Sequence, residues 1–306
     1  MKVRISSTVR VICRMFVDKI TPSKAAVTVA VALFSVSAAS AQSLNWEGQT
    51  GAFITPFAYT SASDKGKVGK PSVAYHYLSG GEVIGDNHQA SITVGMFGRA
   101  EFGYTRTFTK TGDTPGFSPL FAGGFNTFHG KVNVVKENTG KKNWVPAIST
   151  GFVARTQVRR AGGRIVGEDT ANGDVYVVAT KTITAIKEVP FVISGGYKLT
   201  NASLMGLAGN ASAWQGRAFG AVAVVLPGPA KSKLIVGSEF AQQPRHLQNV
   251  PGAIIPTSMT YFVRILPRPE KPFNIDFGIA QAGGNIAPGI NIKARNRFAM
   301  GVSYRF

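Results

Sequence analysis

From residue 71 to the C-terminus, apolar and polar residues alternate in stretches of roughly eight to twelve, separated by Gly, Pro, Asn and Lys. In one stretch Ala90, Ile92, Val94 and Met96 alternate with Gln89, Ser91, Thr93 and Gly95. In another, Phe273, Ile275, Phe277 and Ile279 alternate with Asn274, Asp276, Gly278 and Ala280. The last stretch alternates Phe298, Met300, Val302, Tyr304 and Phe306 with Arg297, Ala299, Gly301, Ser303 and Arg305. Side chains point to opposite faces at successive strand positions, so this period of two predicts strands with one apolar and one polar face. The pattern predicts twelve strands, at 71–79, 88–97, 99–108, 128–136, 145–155, 173–182, 188–199, 216–226, 231–242, 258–267, 272–282 and 295–306. Those at 173–182 and 216–226 are apolar on both faces.

After the second strand the connections alternate in length. Short ones fall near Phe97-Gly98, 136–144, 183–187, 227–230 and 267–271; long ones run 109–127, 156–172, 200–215, 243–257 and 283–294. An even strand number with short turns at one end and long loops at the other is the pattern of an outer-membrane barrel. A soluble sandwich would alternate too, but with shorter strands. The fold class expected is therefore all-β: a single antiparallel transmembrane β-barrel of about 12 strands, following a cleaved signal peptide. If the chain ends in the periplasm, the short turns lie there and residues 42–70 begin there. The apolar Gly51–Tyr59 then either tucks into the lower mouth of the barrel or continues the first strand across Gly66 and Gly69. The organisation expected is a leader at 1–41, an N-terminal periplasmic or lumen-tucked segment at 42–70, and the barrel at 71–306.

The leader reading rests on Lys2, Arg4, Arg10, Arg14, Lys19 and Lys24, then apolar Ala25 to Val36, then Ala39-Ser40-Ala41. This is the order of a secretory signal peptide, and the apolar run is too short to span a bilayer as a helix. Of 306 residues, 44% are hydrophobic and 16% charged, with 35 glycines and a formal charge of +19. Cleavage after Ala41 removes six basic residues and Asp18, leaving 28 basic against 14 acidic residues over 265, or +14. It also removes Cys13, the only cysteine, which excludes disulfides and cysteine-based metal sites. Export makes nucleic acid an unsuitable partner for the basic excess.

The chain ends in Gly301-Val302-Ser303-Tyr304-Arg305-Phe306. The terminal Phe306, with Tyr304 and Gly301 before it, is similar to the C-terminal β-signal of Gram-negative outer-membrane proteins. That resemblance implies the barrel-assembly machinery as a partner during biogenesis; Ala299, where the signal prefers a polar residue, departs from it. An alternating strand with a terminal aromatic can add to a sheet edge. A second run, Gly48-Gln49-Thr50-Gly51-Ala52-Phe53-Ile54-Thr55-Pro56-Phe57-Ala58, resembles the opening of YjbH-like barrels associated with exopolysaccharide secretion. It precedes a hairpin-like Val94–Tyr104 stretch, covers about 60 residues with it, and implies no chemistry.

Charge on the lipid face costs about 2–4 kcal/mol at mid-bilayer, so each strand's polar face is assigned to the lumen. That assignment turns ten basic residues inward: Arg99, Lys131, Arg155, Lys198, Arg217, Lys233, Arg264, Arg295, Arg297 and Arg305. Glu101, Glu188, Glu239 and Asp276 oppose them, leaving +6. A basic wall favours anions; alternatively these side chains pair and fill a closed barrel. Arg155, Arg159, Arg160 and Arg164 lie along or beside one outer loop and read first as a solvated charged loop, with binding of lipopolysaccharide phosphates or extracellular polyanions as the alternative. The loop 109–127, carrying Phe117, Phe121 and Phe125, is expected to fold into the barrel mouth as a constriction. Trp144, Tyr59, Tyr104 and Tyr261 are candidates for interfacial girdles.

His76, His88, His129 and His246 form no i, i+4 pair, and neither a G-x-S-x-G elbow nor a phosphate loop occurs. No metal, cofactor or catalytic residue is assigned. The function expected is a passive channel, or an uptake or export barrel, for small anionic solutes in the outer membrane of a Gram-negative bacterium. The alternatives are an accessory or structural envelope barrel with a filled lumen, linked to polysaccharide secretion, and a lipid-modifying barrel enzyme. The partners expected are outer-membrane lipid including lipopolysaccharide, the assembly machinery and a small anionic solute.

Overall fold

The computed structural model describes residues 43–116, 118–184, 189–250, 252–268 and 271–306. The expected leader with Cys13, the loop residue Phe117 and the inward-assigned Glu188 lie outside them. Twelve antiparallel strands close into one barrel. They are β1 (Val68–Ser79), β2 (Asp86–Met96), β3 (Ala100–Lys110), β4 (Asn126–Val135), β5 (Ala147–Thr156) and β6 (Ala171–Ile183). The circuit continues with β7 (Phe191–Ala202), β8 (Asn210–Pro227), β9 (Lys233–Gln242), β10 (Thr257–Leu266), β11 (Phe273–Ala282) and β12 (Ala294–Arg305).

Each strand pairs with its neighbours in sequence, and β12 closes on β1 through Ala299↔Leu78 to Arg305↔Ser72. Closure pairs the two edges of the sheet over Ala299–Arg305, which is the condition for placing those backbone amides in hydrocarbon. All twelve strands fall where the alternation predicts them, with ends shifted by a few residues. The largest difference is β8, which begins at Asn210 instead of 216 because its pairing with β7 resumes at Asn210↔Ala202 across an irregularity.

The two faces of the wall are chemically distinct. Ile92, Phe102, Phe152, Val175, Ile279 and Phe298 are all exposed on the outside, between 43% and 53%. Their in-strand neighbours Thr93, Glu101, Val153, Asp174 and Ala299 are buried inside. At the long-loop end, a short helix (Gly81–Ile84), a second helix (Arg160–Val166) and a 3-10 turn (Ser118–Phe121) form a cap. Val83, Ile84, Phe121, Phe125, Leu204, Leu207, Leu247 and Ile286 bury its apolar side chains. Loop 109–127 contributes Phe121 and Phe125 to this cap, held to the first helix by Ser118 Oγ donating to the Glu82 carbonyl at 2.8 Å. No described helix is long and apolar enough to cross a membrane.

Candidate functional site: a lumen filled by the N-terminal segment

Residues 43–61 run inside the barrel. Every residue from 43 to 53 is buried, Trp46 and Phe53 completely. The segment is folded on itself by a two-residue ladder, Ser43↔Gly51 and Leu44↔Thr50. Asn45 staples it: its Oδ1 accepts the amides of Glu47 and Gln49, and its Nδ2 donates to the Ile54 carbonyl. Gly48 makes the turn at φ +85°, where a Cβ would lie 2.6 Å from Thr105 Oγ1. Only glycine satisfies both constraints. The Gly48-to-Ala58 run is therefore the segment that occupies the lumen.

The barrel wall grips this plug through buried charged side chains aimed at its backbone. Glu101 on β3 accepts the Thr50 amide (3.0 Å), the Thr50 hydroxyl (2.6 Å) and the Ser61 amide (2.7 Å). Lys131 on β4 pairs with Glu101 at 2.9 Å and donates to the Thr50 and Phe57 carbonyls. Glu239 on β9 accepts the amides of Ile54 and Thr55, both at 2.7 Å, and the Thr55 hydroxyl. Arg264 on β10 binds Asp276 on β11 through Nε (2.7 Å) and donates to the Gly51 and Ala52 carbonyls at 3.0 Å. Arg155 on β5 joins Glu47 of the plug, at 2.6 Å, to Asp174 on β6, at 2.7 Å.

Neutral side chains finish the seam. Thr93 donates to the Gly48 carbonyl, Tyr176 to Gln49, and Asn133 and Ser149 to the Ala58 carbonyl. His76 packs against Trp46 and Phe53 with ring centroids 6.1 and 5.8 Å apart. Buried ionised groups are tolerable only when paired and hydrogen-bonded, and here the plug backbone supplies the remaining partners. A cavity between plug and wall at Gln49, Asp174, Tyr176 and Lys198 is about 30 Å³, room for one or two waters.

This arrangement corrects the basic-lumen expectation. Among the described residues, the charges enclosed by the wall are Lys131, Arg155 and Arg264 against Glu47, Glu101, Asp174, Glu239 and Asp276. Three basic residues thus face five acidic ones, and half-buried Lys198, 3.9 Å from Asp174, adds one more cation. The other basic residues assigned inward sit at the two rims. Arg99 is exposed in the turn between β2 and β3, donating to the Asn133 and Val134 carbonyls. Lys233 and Arg305 are half-buried at the same short-turn end. Arg217 and Arg297 are half-buried at the loop end, and Arg295 is exposed there. Asn296, at φ +53°, interrupts the alternation beside Arg295 and Arg297. Glu47 escapes sequence assignment because it lies outside any strand, and Asp174 because its strand is apolar on both faces.

Two further expectations change. Arg155 belongs to the lumen, so the outer-loop cluster loses its first member. Arg159 lies 4.6 Å over the Phe121 ring and pairs with Glu168 at 3.3 Å, while Arg164 is exposed. Trp144 (73% exposed) and Tyr261 lie on the outer surface, but Tyr59 is buried in the plug, its hydroxyl donating to Glu137. Gly301 is buried against His76, while Tyr304 and Phe306 are exposed and stacked edge to face, centroids 5.0 Å apart. No group of three or more metal-ligating side chains occurs among the described residues.

A closed ladder with an apolar outer belt and a polar, charge-paired interior defines the class: an antiparallel transmembrane β-barrel. Within that class, the chain belongs to the family described as "Protein of unknown function (DUF3034)", whose profile matches residues 40–266. No curated protein matches the sequence. Among solved structures it is similar to the KdgM porin, at 9% identity and TM-score 0.45, covering 77% of this chain and 99% of that one. It is also similar to the NanC porin, at 11% identity and TM-score 0.44, covering 77% and 100%. A third is the outer membrane channel DcaP of Acinetobacter baumannii, at 9% identity and TM-score 0.32, covering 78% and 71%.

Proposed function

We propose that the protein is an outer-membrane barrel for small solutes whose path is held closed by its own N-terminal segment, and that solutes pass when this plug is displaced. The observation that carries the reading is the mode of attachment: Glu101, Glu239 and Arg264 bind backbone amides and carbonyls of residues 50–55 by side-chain hydrogen bonds. No strand of the plug joins the wall's ladder. Its removal therefore breaks side-chain contacts and leaves the closed sheet intact. The strand count, short turns at one end and apolar belt support placement in a Gram-negative outer membrane, in contact with its lipid and lipopolysaccharide. Basic residues at the rims, such as Arg99, Lys233 and Arg295, draw small anions to the mouths, so anion preference is set there and not along a basic lumen.

A second reading, an envelope accessory barrel linked to polysaccharide secretion with a permanently filled lumen, is favoured by the complete burial of residues 43–53. Proteoliposome swelling separates the two. Wild-type vesicles are expected to exclude small sugars and carboxylates, and vesicles carrying Glu101→Gln with Glu239→Gln to admit them. Exclusion by both proteins, with the variant barrel folded, supports the filled barrel and overturns the gated one.

A further inference from the structure

A second cavity lies beneath the loop cap, and Ile54 of the plug contributes to its lining. Its floor is Ala280 on β11, and Ala280 is paired on one side with Thr260 of β10 and on the other with Arg297 of β12. Leu78, Ile84, Leu204, Met205 and Leu207 supply its apolar walls. The cavity is about 50 Å³, enough for a short run of methylene groups but not for a bulky ring.

Two polar groups address this apolar space. Thr260 is 1% exposed, and its hydroxyl has no hydrogen-bond partner. A buried hydroxyl left unpaired costs free energy that a ligand acceptor would recover. Arg297 is anchored by Nε and Nη2 donating to the Lys293 carbonyl, which leaves Nη1 outside those bonds. The helix Gly81–Ile84 closes over it: a Cβ on Gly81 would lie 2.6 Å from the Arg297 Cζ.

The ladder is also irregular here. Pairing of β11 with β12 jumps from Ala280↔Arg297 to Ala282↔Ala294, leaving Arg295 and Asn296 opposite Gln281, whose Nε2 donates to Asn296 Oδ1. Pairing of β12 with β1 begins only at Ala299↔Leu78, so β12 from Ala294 to Phe298 has no partner on that side. Met259 and Gln281, whose side chains lie on the outer face, contribute to the cavity lining. The ladder between β12 and β1 thus stops short at the level of the apolar pocket.

We propose that this pocket binds an amphiphilic carboxylate. Its head lies over Ala280, bonded by the Arg297 guanidinium and the Thr260 hydroxyl, and its alkyl end is enclosed by Leu78, Ile84 and Leu204. A charge-assisted pair with Arg and an otherwise unsatisfied hydroxyl select an anionic acceptor, and the apolar walls select a chain. The edge of β12 left unpaired beside β1, at the loop-end rim, is the route in. The site is formed with the plug seated, Ile54 among its lining, and its occupancy is read without opening the barrel, so a failure here is distinguishable from a failure of the gating reading.

The test is equilibrium dialysis of radiolabelled butyrate against the full chain held in an amphipathic polymer. Butyrate is expected to saturate at one per chain, with acetate and butan-1-ol competing at least tenfold more weakly. Arg297→Gln and the isosteric Thr260→Val each weaken binding, the first at least tenfold and the second about threefold, and Ala280→Leu abolishes it by filling the floor. Heat-modifiable gel mobility verifies that each variant is folded. Non-saturating partition, equal competition by butan-1-ol, or undiminished binding by Arg297→Gln overturns the proposal. Should Ala280→Leu fail to fold, the Thr260→Val and Arg297→Gln results decide it.

Discussion

The Glu239 carboxylate accepts both the amide and the hydroxyl of Thr55, at 2.7 and 2.8 Å, across 184 residues of sequence. With the Ile54 amide on its other oxygen, it caps the inner turn of the plug. Glu239→Gln replaces an acceptor-only group with one that presents its own donors to these N–H and O–H groups, at a cost of about 1–3 kcal/mol. The expected consequence is a loosened plug in a folded barrel. It is measured by maleimide labelling of Ala52→Cys, buried completely in the seated plug. Labelling should be slow in the otherwise native chain and faster with Glu239→Gln. Equal rates would show that this carboxylate does not hold the plug.

The Glu101–Lys131 pair, 2.9 Å apart with both side chains fully enclosed, is expected to be strongly coupled. Removing either partner alone, as Glu101→Leu or Lys131→Met, strands a buried charge and should cost about 3–5 kcal/mol. The double variant should cost clearly less than the sum. Urea unfolding of the barrel in lipid vesicles reads the cycle, and additive losses would contradict direct coupling.

Gly48→Ala tests the turn of the plug without touching a charge. The backbone there is left-handed and the new methyl would press on Thr105 Oγ1. A loss of about 1–3 kcal/mol in plug seating is expected. It should be visible as increased Ala52→Cys labelling with unchanged heat-modifiable mobility. Labelling as slow as with glycine would mean the turn accommodates a side chain.

Glu168, in the loop between β5 and β6, has its carboxyl raised above the ordinary range by burial, with Arg159 opposing the rise. A carboxyl whose value is higher folded than unfolded binds more protons in the folded state. Its contribution is complete below the unfolded value and is lost as pH rises through the folded one. Hydrogen exchange at the Gly163 and Glu168 amides, corrected for intrinsic rates, should show local protection falling as pH rises through the weakly acidic range. Glu168→Gln should flatten that dependence. An identical slope in the variant would assign the effect elsewhere.

Much of the barrel is legible in the sequence because one physical constraint, water or charge-pairing on one face and lipid on the other, writes a period of two over most strands. Lys131, Arg155, Arg264, Glu101, Glu239 and Asp276 are buried inside the wall for that reason. The alternation fails at Arg295, where Asn296 turns left-handed, and it gives no warning at Asp174, whose strand is apolar on both faces. The height of a charge along the wall is equally invisible, so alternation alone places rim residues such as Arg99 and Arg305 in the lumen. The plug is harder still to foresee. Its spacing of glycines and the Thr55-Pro56 pair stand out, but its hold on the wall runs through backbone amides and carbonyls, which every residue type carries.

Single-channel recording in planar bilayers tests the central claim most directly. The wild-type barrel is expected to be silent, and the Glu101→Gln, Glu239→Gln variant to give discrete conductance steps while keeping wild-type heat-modifiable mobility. Steady steps from the wild-type protein, or a folded variant that stays silent at every voltage, would contradict a barrel held shut by residues 43–61.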